Sequence, residues 1–158
     1  MKFNSIYEST LVKIATLGGV GKIFIAPGTI ASLFAITIGC ILLFNLNKLV
    51  FLCFIVVFFF LGIISIKAHH DKYKNHDSKE VVIDELVGQW IVIMFIDENF
   101  LHILLSFILF RFFDILKPWP ISLADQKLKN SFGVMFDDIL AGLFAGIVLT
   151  ALINYKIL

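Results

Sequence analysis

Five long apolar stretches, separated by short polar segments, dominate the pattern along the chain. They cover residues 30–44, 49–66, 81–96, 100–116 and 139–153. With flanking residues included, each approaches the roughly 20 residues that a helix needs to cross a bilayer. A bilayer core offers no water to backbone groups, so a spanning stretch pairs them within a helix. The pattern therefore predicts an all-α, polytopic membrane helix bundle with about five transmembrane helices.

Residues 1–26 show a weaker, mixed pattern. Apolar residues recur there at partly helical spacing, at Ile6, Leu11, Ile14, Leu17 and Val20. Lysines at positions 2, 13 and 22 interrupt this stripe, which is typical of an amphipathic helix on a membrane surface. No repeat or flexible linker divides the chain. We therefore expect a single domain over residues 1–158, with residues 1–26 as an N-terminal surface segment.

Composition narrows the possible functions. Apolar residues make up 59% of the chain and charged residues 16%, with 18 phenylalanines, unlike an ordinary soluble domain. The formal net charge of +1 and the lack of a clustered basic surface exclude nucleic acid as a partner. Cys40 and Cys53 lie inside apolar stretches, so we interpret them as small hydrophobic residues without redox chemistry. The expected surroundings are a lipid bilayer.

Ionisable residues gather on one side of the predicted bundle. If the five stretches alternate across the membrane, one face receives most of the basic side chains: Lys67, Lys72, Lys74, Lys79, Arg111, Lys117, Lys127 and Lys129. The opposite face keeps Lys48 and Lys156, so the positive-inside rule makes the basic face cytoplasmic. Most acidic residues fall on that face as well, whereas Asp97 and Glu98 lie opposite. We expect the chemistry at the cytoplasmic surface.

Five carboxylates on this face stand near the ends of predicted spans. Asp84 and Glu85 open the third span, Asp114 is near the end of the fourth, and Asp137 and Asp138 begin the fifth. Such groups are functional candidates because burying a charge at a membrane helix costs free energy. Acids at a helix N-terminus also favour the macrodipole, which offers a purely structural alternative. Two adjacent carboxylates repel each other, and that repulsion favours a functional interpretation.

Two further features could bind a phosphate. Arg111, Asp114 and Lys117 recur every three residues and share a helix face. They could hold a phosphate and a metal, or form an internal ion pair with Lys117 as a membrane anchor. Thr29 follows a Pro-Gly pair before the first span, with Ser32 about one turn later. The start of that helix could bind an anion or be a plain capping turn.

The carboxylates predict a hard divalent cation. One Arg and one Lys cannot neutralise five acids held together. Raised pKa values could reduce the charge, but a divalent ion neutralises such a set and accepts oxygen ligands. Few nitrogen or sulfur ligands are nearby, so Mg²⁺ is favoured over Zn²⁺.

Candidates for other catalytic groups are few. His69, His70 and His76 are expected in the loop after the second span, where they could relay protons or simply be solvated. The sequence contains no nucleophile elbow, no phosphate-cradling cysteine loop and no P-loop. Covalent catalysis therefore has no obvious agent.

Three motifs, in this order, resemble those of the phosphatidylglycerophosphatase A family. They are residues 76–88 with His76-Asp77 and VVIDELVG, residues 110–121 with FRFFDILKPWPI, and residues 136–142 with FDDILAG. Residues 27–29, with Ser32, also fit the N-terminal motif of that family. The resemblance covers roughly residues 18–146. One departure is Ser78, where many members have Pro.

The resemblance implies hydrolysis of phosphatidylglycerophosphate to phosphatidylglycerol and phosphate, with Mg²⁺, in glycerophospholipid synthesis at the bacterial inner (cytoplasmic) membrane. It also implies roles for residues. The catalytic and metal-binding set would be Asp84, Glu85, Asp114, Asp137 and Asp138. The substrate contacts would be Arg111, Lys117, Thr29 and Ser32.

A membrane transporter or channel is the principal alternative. Intramembrane acids also line ion pathways, and acids midway along the spans would favour that function. Here the carboxylates cluster at one face, which favours a reaction centre at the membrane surface.

Overall fold

The fold is entirely helical over the part of the chain that the structure describes, residues 2–75 and 78–155. In this computed structural model the elements, in chain order, are α1 (Lys2–Ala15), a short 3₁₀ helix (Leu17–Lys22), α2 (Pro27–Asn45), α3 (Lys48–Tyr73), α4 (Ile83–Ile93), α5 (Phe100–Leu116), α6 (Ile121–Lys127) and α7 (Ser131–Asn154). The prediction of an all-α bundle is confirmed. His76 and Asp77 lie outside the described residues.

Three helices are long and apolar enough to cross a membrane. They are α2 with 19 residues, α3 with 26 and α7 with 24. Helix α5 has 17 residues. Helix α4 has 11 residues and is therefore only about 16 Å long, because only residues 83–93 of the apolar stretch over residues 81–96 form the α-helix. The count of five spans stays a prediction.

Helix α4 lies in the middle of the bundle, packed against α2, α3, α5 and α7. Its side chains are buried nearly all round, as expected of a helix surrounded by other helices. Trp90 is its largest buried residue, and its indole N–H donates a hydrogen bond to the carbonyl oxygen of Ala35 on α2 at 2.9 Å. The Trp90 ring also contacts Phe51 and Phe58 of α3. These contacts fix the second half of α4 against α2 and α3.

Small residues let α4 and α7 approach closely. A Cβ atom on Gly88 would stand 2.7 Å from the carbonyl oxygen of Asp138. A Cβ atom on Gly142 would collide with the carbonyl oxygen of Gly88. Each glycine therefore accommodates the backbone of the other helix. The GxxxG spacing in α7 that begins at Gly142 has a packing function.

Asparagine side chains start three of the helices. The side chains of Asn47, Asn99 and Asn130 each accept a hydrogen bond from a backbone N–H in the first turn of α3, α5 and α7. Helices α2 and α4 start without such a side-chain cap. Their first turns lie at the same end of the bundle, which is the end that holds the ionisable residues.

The N-terminal segment forms the predicted helix over only part of residues 1–26, because α1 ends at Ala15 and the last two residues of the apolar stripe, Leu17 and Val20, lie in the 3₁₀ helix. Leu11, Val12 and Ala15 of α1 are buried, and α1 packs along α3. The carbonyl oxygen of Ala15 accepts a hydrogen bond from the backbone N–H of Val82 at 3.0 Å. This contact links α1 to the start of α4. The position of α1 on a membrane surface stays a prediction.

Candidate active site

A cavity of about 550 Å³ opens at the end of the bundle where α2 and α4 begin and α5 ends. Eight of the nine residues predicted from the sequence line this cavity: Thr29, Asp84, Glu85, Arg111, Asp114, Lys117, Asp137 and Asp138. The ninth, Ser32, is fully buried behind the wall. The carboxylates from three different helices thus meet in one place.

The centre of the cavity is a group of three carboxylates. Asp84, Glu85 and Asp138 each offer an oxygen atom, and these atoms all lie within 4.8 Å of one another. Asp137 and Asp138 are each only 4% exposed. Buried carboxylate oxygens on Asp84, Glu85, Asp137 and Asp138 have no hydrogen-bond partner among the described residues. Unpaired buried acceptors are rare in proteins, and this set of oxygen donors fits a hard divalent cation.

Arg111 connects three of the helices around the cavity. Its guanidinium forms an ion pair with Asp114, one turn further along α5. One of its terminal nitrogens also lies 3.9 Å from a carboxylate oxygen of Glu85 on α4 and 3.5 Å from the hydroxyl of Ser32 on α2. Ser32 in turn donates to the carbonyl oxygen of Gly28 at 2.9 Å. Ser32 therefore reaches the cavity through Arg111.

Gly28 brings the first turn of α2 against the carboxylate group. A Cβ atom at this position would collide with the Glu85 carboxylate and stand 3.3 Å from a guanidinium nitrogen of Arg111. Glycine is required at position 28 because the backbone of α2 approaches the Glu85 side chain closely there. Thr29, the next residue, lines the cavity.

Lys117 joins the end of α5 to α6 and α7. Its ammonium forms ion pairs with Asp125 at 2.6 Å and with Asp137. Burial disfavours the charged ammonium, but the hydrogen bonds with Asp125 and Asp137 outweigh this effect and raise the pKa of Lys117. The hydrogen bond from Lys117 lowers the pKa of Asp125. Both charges are therefore kept over the neutral range.

Asp125 is a cavity residue that sequence reasoning did not single out. It lines the wall formed by α6. In the sequence it is one of many acids on the face predicted to be cytoplasmic, and its pairing with Lys117 depends on how α6 packs at the end of α5. No spacing signal was available to identify it.

The histidines of α3 lie elsewhere than predicted. His69 and His70 are in the last turns of α3, not in a loop, and are 1% and 5% exposed. The prediction of a solvated loop was wrong because α3 continues as a helix to Tyr73, past the end of the apolar stretch. His70 lines the cavity, whereas the ring of His69 lies 3.9 Å from Glu80.

Comparison with known proteins identifies the family. The family model described as phosphatidylglycerophosphatase A matches residues 13–153. The chain belongs to this family. It is 44% identical over 135 residues to phosphatidylglycerophosphatase A of Haemophilus influenzae, covering 85% of this chain and 83% of that relative.

Two further relatives belong to different organisms. The chain is 35% identical to phosphatidylglycerophosphatase A of Escherichia coli, over 83% of this chain and 76% of the relative. It is 34% identical to a putative phosphatidylinositol-3-phosphatase of Bacteroides thetaiotaomicron, over 87% of this chain and 90% of the relative. No solved structure matches the chain.

Membership of the phosphatidylglycerophosphatase A family makes the chain a phosphatase. A carboxylate cavity at the end of long apolar helices is consistent with a membrane-associated member of this family.

Proposed function

We propose that this chain hydrolyses phosphatidylglycerophosphate to phosphatidylglycerol and phosphate, with Mg²⁺, as a step of bacterial glycerophospholipid synthesis. The observation that carries the proposal is the group of Asp84, Glu85 and Asp138, whose oxygens lie within 4.8 Å of one another in a cavity at the helix ends. Family membership supports the lipid substrate. The positive-inside distribution of lysines supports a cytoplasmic site in the inner membrane.

The charge inside the cavity supports a bound cation. Among the residues that line it, six carboxylates outnumber three cationic side chains, those of Lys79, Arg111 and Lys117. A phosphate monoester adds further negative charge, so without compensation the cavity would repel its substrate. Asp84, Glu85 and Asp138 would hold the cation, with Asp114 and Asp137 beside them.

In this proposal a bound Mg²⁺ would supply Lewis-acid polarisation of the phosphate oxygens. The protein residues position the phosphate. Arg111, held by Asp114 and Glu85, and Lys117, held by Asp125 and Asp137, keep two positive charges at the cavity wall, where they would offset developing charge on the phosphoryl oxygens. Thr29 offers a hydroxyl at the start of α2.

The chemical step is addition of water to phosphorus with cleavage of the ester bond to the lipid. One carboxylate of the cavity accepts a proton from the attacking water and transfers it to the glycerol oxygen as the ester bond breaks, so that the lipid alcohol and hydrogen phosphate are released and the carboxylate is regenerated. Positioning and electrostatic stabilisation supply most of the acceleration, since hydrolysis of phosphate monoesters is very slow in water. Covalent catalysis is not required.

The test is phosphate release by the purified chain in lipid–detergent micelles. Phosphatidylglycerophosphate, phosphatidic acid, phosphatidylinositol 3-phosphate and glycerol 3-phosphate would be compared, each with Mg²⁺ and with a chelator. We expect the highest kcat/KM on phosphatidylglycerophosphate, and loss of activity on chelation that added Mg²⁺ restores. The phosphatidylinositol 3-phosphate arm is included because of the name of the Bacteroides relative.

Two results would contradict the proposal. Preference for phosphatidylinositol 3-phosphate would change the substrate while keeping the reaction class. Activity on none of the four substrates would contradict the phosphatase assignment, and measurements of ion flux in vesicles would then test the transport alternative.

A further inference from the structure

The loop before α2 exposes three consecutive apolar residues beside a polar cavity. Ile23, Phe24 and Ile25 are 43%, 100% and 75% exposed, and they connect the 3₁₀ helix to the start of α2. A phenylalanine side chain with no protein contact is unfavourable in water. Phe24 nevertheless lines the carboxylate cavity. An apolar ligand next to the ionic centre would account for this arrangement.

A second apolar wall faces the same cavity from α5. Ile115 is 66% exposed and also lines the cavity. It follows Arg111 by one helical turn and so shares its face of α5. Because a Cβ atom on Gly28 would stand 3.3 Å from a guanidinium nitrogen of Arg111, this face of α5 lies beside the first turn of α2. Phe24 and Ile115 therefore flank the cavity at neighbouring helix ends.

Polar and ionisable residues also line the cavity. Ser78, Lys79, Lys117 and Asp125 do so in addition to Arg111 and the carboxylates of α4, α5 and α7. The cavity is therefore amphiphilic, with ionic groups over one part of its wall and exposed apolar groups over another. This distribution matches a ligand with an anionic head and an apolar tail.

Exposed apolar residues continue away from Ile115 along the outside of the bundle. Phe112 and Leu116 of α5 are 51% and 61% exposed, and Trp119 is 78% exposed. Exposed tryptophan near a helix end is typical of the membrane–water interface. Exposed apolar residues thus extend from the cavity over the outer surface of α5.

We propose that the gap between residues 23–25 and the last turn of α5 is the lateral entrance for the substrate lipid, with Phe24 and Ile115 contacting the glycerol-proximal part of its acyl chains. This inference rests on the proposed function and names how that site receives its substrate. The phosphate enters among the carboxylates while the chains remain between the two walls and the bilayer. In this proposal, residues 23–25 also insert into the acyl-chain region of the membrane.

The first experiment compares Phe24→Ser and Ile115→Ser with a matched control, Ile147→Ser. Ile147 is 61% exposed and lies nine residues beyond Asp138 on α7, about 14 Å further along the helix. Phosphate release would be measured on long-chain phosphatidylglycerophosphate in vesicles and on its dihexanoyl form as free monomers. The readout is the ratio of kcat/KM on the long-chain lipid to that on the short-chain lipid.

We expect Phe24→Ser to lower this ratio about tenfold or more, as the loss of one buried phenylalanine contact implies. Ile115→Ser should lower it in the same direction, and Ile147→Ser should leave the wild-type ratio. If the Phe24 variant and the Ile147 variant have the same ratio, the entrance is elsewhere. A wild-type chain inactive on both lipids would instead overturn the proposed function and, with it, this inference.

A second experiment reports the membrane contact without turnover. Phe24→Trp would be placed in a Trp119→Phe background, and its fluorescence measured in vesicles that contain brominated phospholipid. We expect stronger quenching than in the Trp119→Phe parent. Equal quenching in the two proteins would contradict contact between residue 24 and lipid. The same conclusion would follow if the wild type were a dimer in detergent and the Phe24→Ser variant a monomer, because a second copy of the chain would then cover the loop.

Discussion

The carbonyl oxygen of Asp138 on α7 lies 2.7 Å from the point where a Cβ atom on Gly88 of α4 would stand. The ring of Phe110 is equally close to that point. Gly88 is one turn beyond Asp84, so the missing side chain lets the two helices approach where their carboxylates meet. The geometry of the site thus depends on a residue without functional groups.

Replacing Gly88 by Ala adds only one methyl group, but it should reduce activity strongly. The added methyl group would collide with a backbone atom and a packed ring, neither of which can move freely, and would push α4 away from α7. We expect a loss of about tenfold or more in kcat, since displacements near 1 Å are costly in positioned reactions. The measurement is phosphate release together with a thermal unfolding curve.

Gly62→Ala is the matched control. A Cβ atom on Gly62 would stand 2.5 Å from the sulfur of Met135, which is part of a flexible side chain that can move aside. Activity close to the wild type is expected for Gly62→Ala. Equal losses in both variants would mean that general destabilisation, and not displacement of the carboxylates, explains the Gly88 result.

The carboxylate group should be essential for turnover and for the response to the metal. Asp84→Asn and Asp138→Asn keep the shape of the side chains and remove charge. We expect phosphate release to fall at least about 100-fold in each. Added Mg²⁺ should raise the melting temperature of the wild type by mass action. The rise should be smaller in each of the two variants.

Glu98→Gln is the control for this pair. Glu98 lies in the turn between α4 and α5, at the opposite end of the bundle from the cavity, and is exposed. The Glu98→Gln variant should retain both the activity of the wild type and the rise in melting temperature on addition of Mg²⁺. Retained turnover in both Asp84→Asn and Asp138→Asn would remove the proposed catalytic group.

The convergence of the carboxylates was predictable from the sequence, but their exact setting was not. Alternation of spans was enough to place Asp84, Asp114 and Asp138 at one end. The apolar pattern predicts Asp137 and Asp138 at the start of a span, whereas α7 begins at Ser131. Polar residues before Ile139 end the apolar stretch without ending the helix. The acids therefore lie inside α7 and are held more rigidly than a helix end would hold them.

The partners of the cations could not be predicted. Arg111 and Lys117 were expected to face a phosphate or to form a local ion pair. Arg111 does pair with Asp114, one turn away, but it also approaches Glu85, and Lys117 pairs with Asp125 and Asp137. These pairings depend on how α4, α6 and α7 pack against α5, for which hydrophobic periodicity carries no information.

Thr29 should contribute to substrate affinity through its hydroxyl. It lines the cavity in the first turn of α2, and Thr29→Val removes the hydroxyl while keeping the shape. We expect KM to rise about fivefold, which corresponds to one lost hydrogen bond, with a smaller change in kcat. Thr37→Val is the control. Thr37 lies about two turns further along α2, is exposed, and donates a hydrogen bond from its hydroxyl to the carbonyl oxygen of Leu33. A similar KM for both variants would exclude the Thr29 contact.

The opposite end of the bundle should respond to pH through Asp97. Its carboxylate lies 2.6 Å from a ring nitrogen of His102, and this hydrogen bond lowers the pKa of Asp97 in the folded protein. The contribution to stability is therefore complete above the unfolded pKa of about 3.9 and is lost as pH falls through the lower folded pKa. Asp97→Asn should lower the melting temperature in detergent at pH 7, and the difference from wild type should shrink below about pH 4. Glu98→Gln, measured in the same series, should show no such difference at pH 7. A deficit in Asp97→Asn that stayed constant down to pH 3 would mean that the carboxylate contributes through something other than its charge.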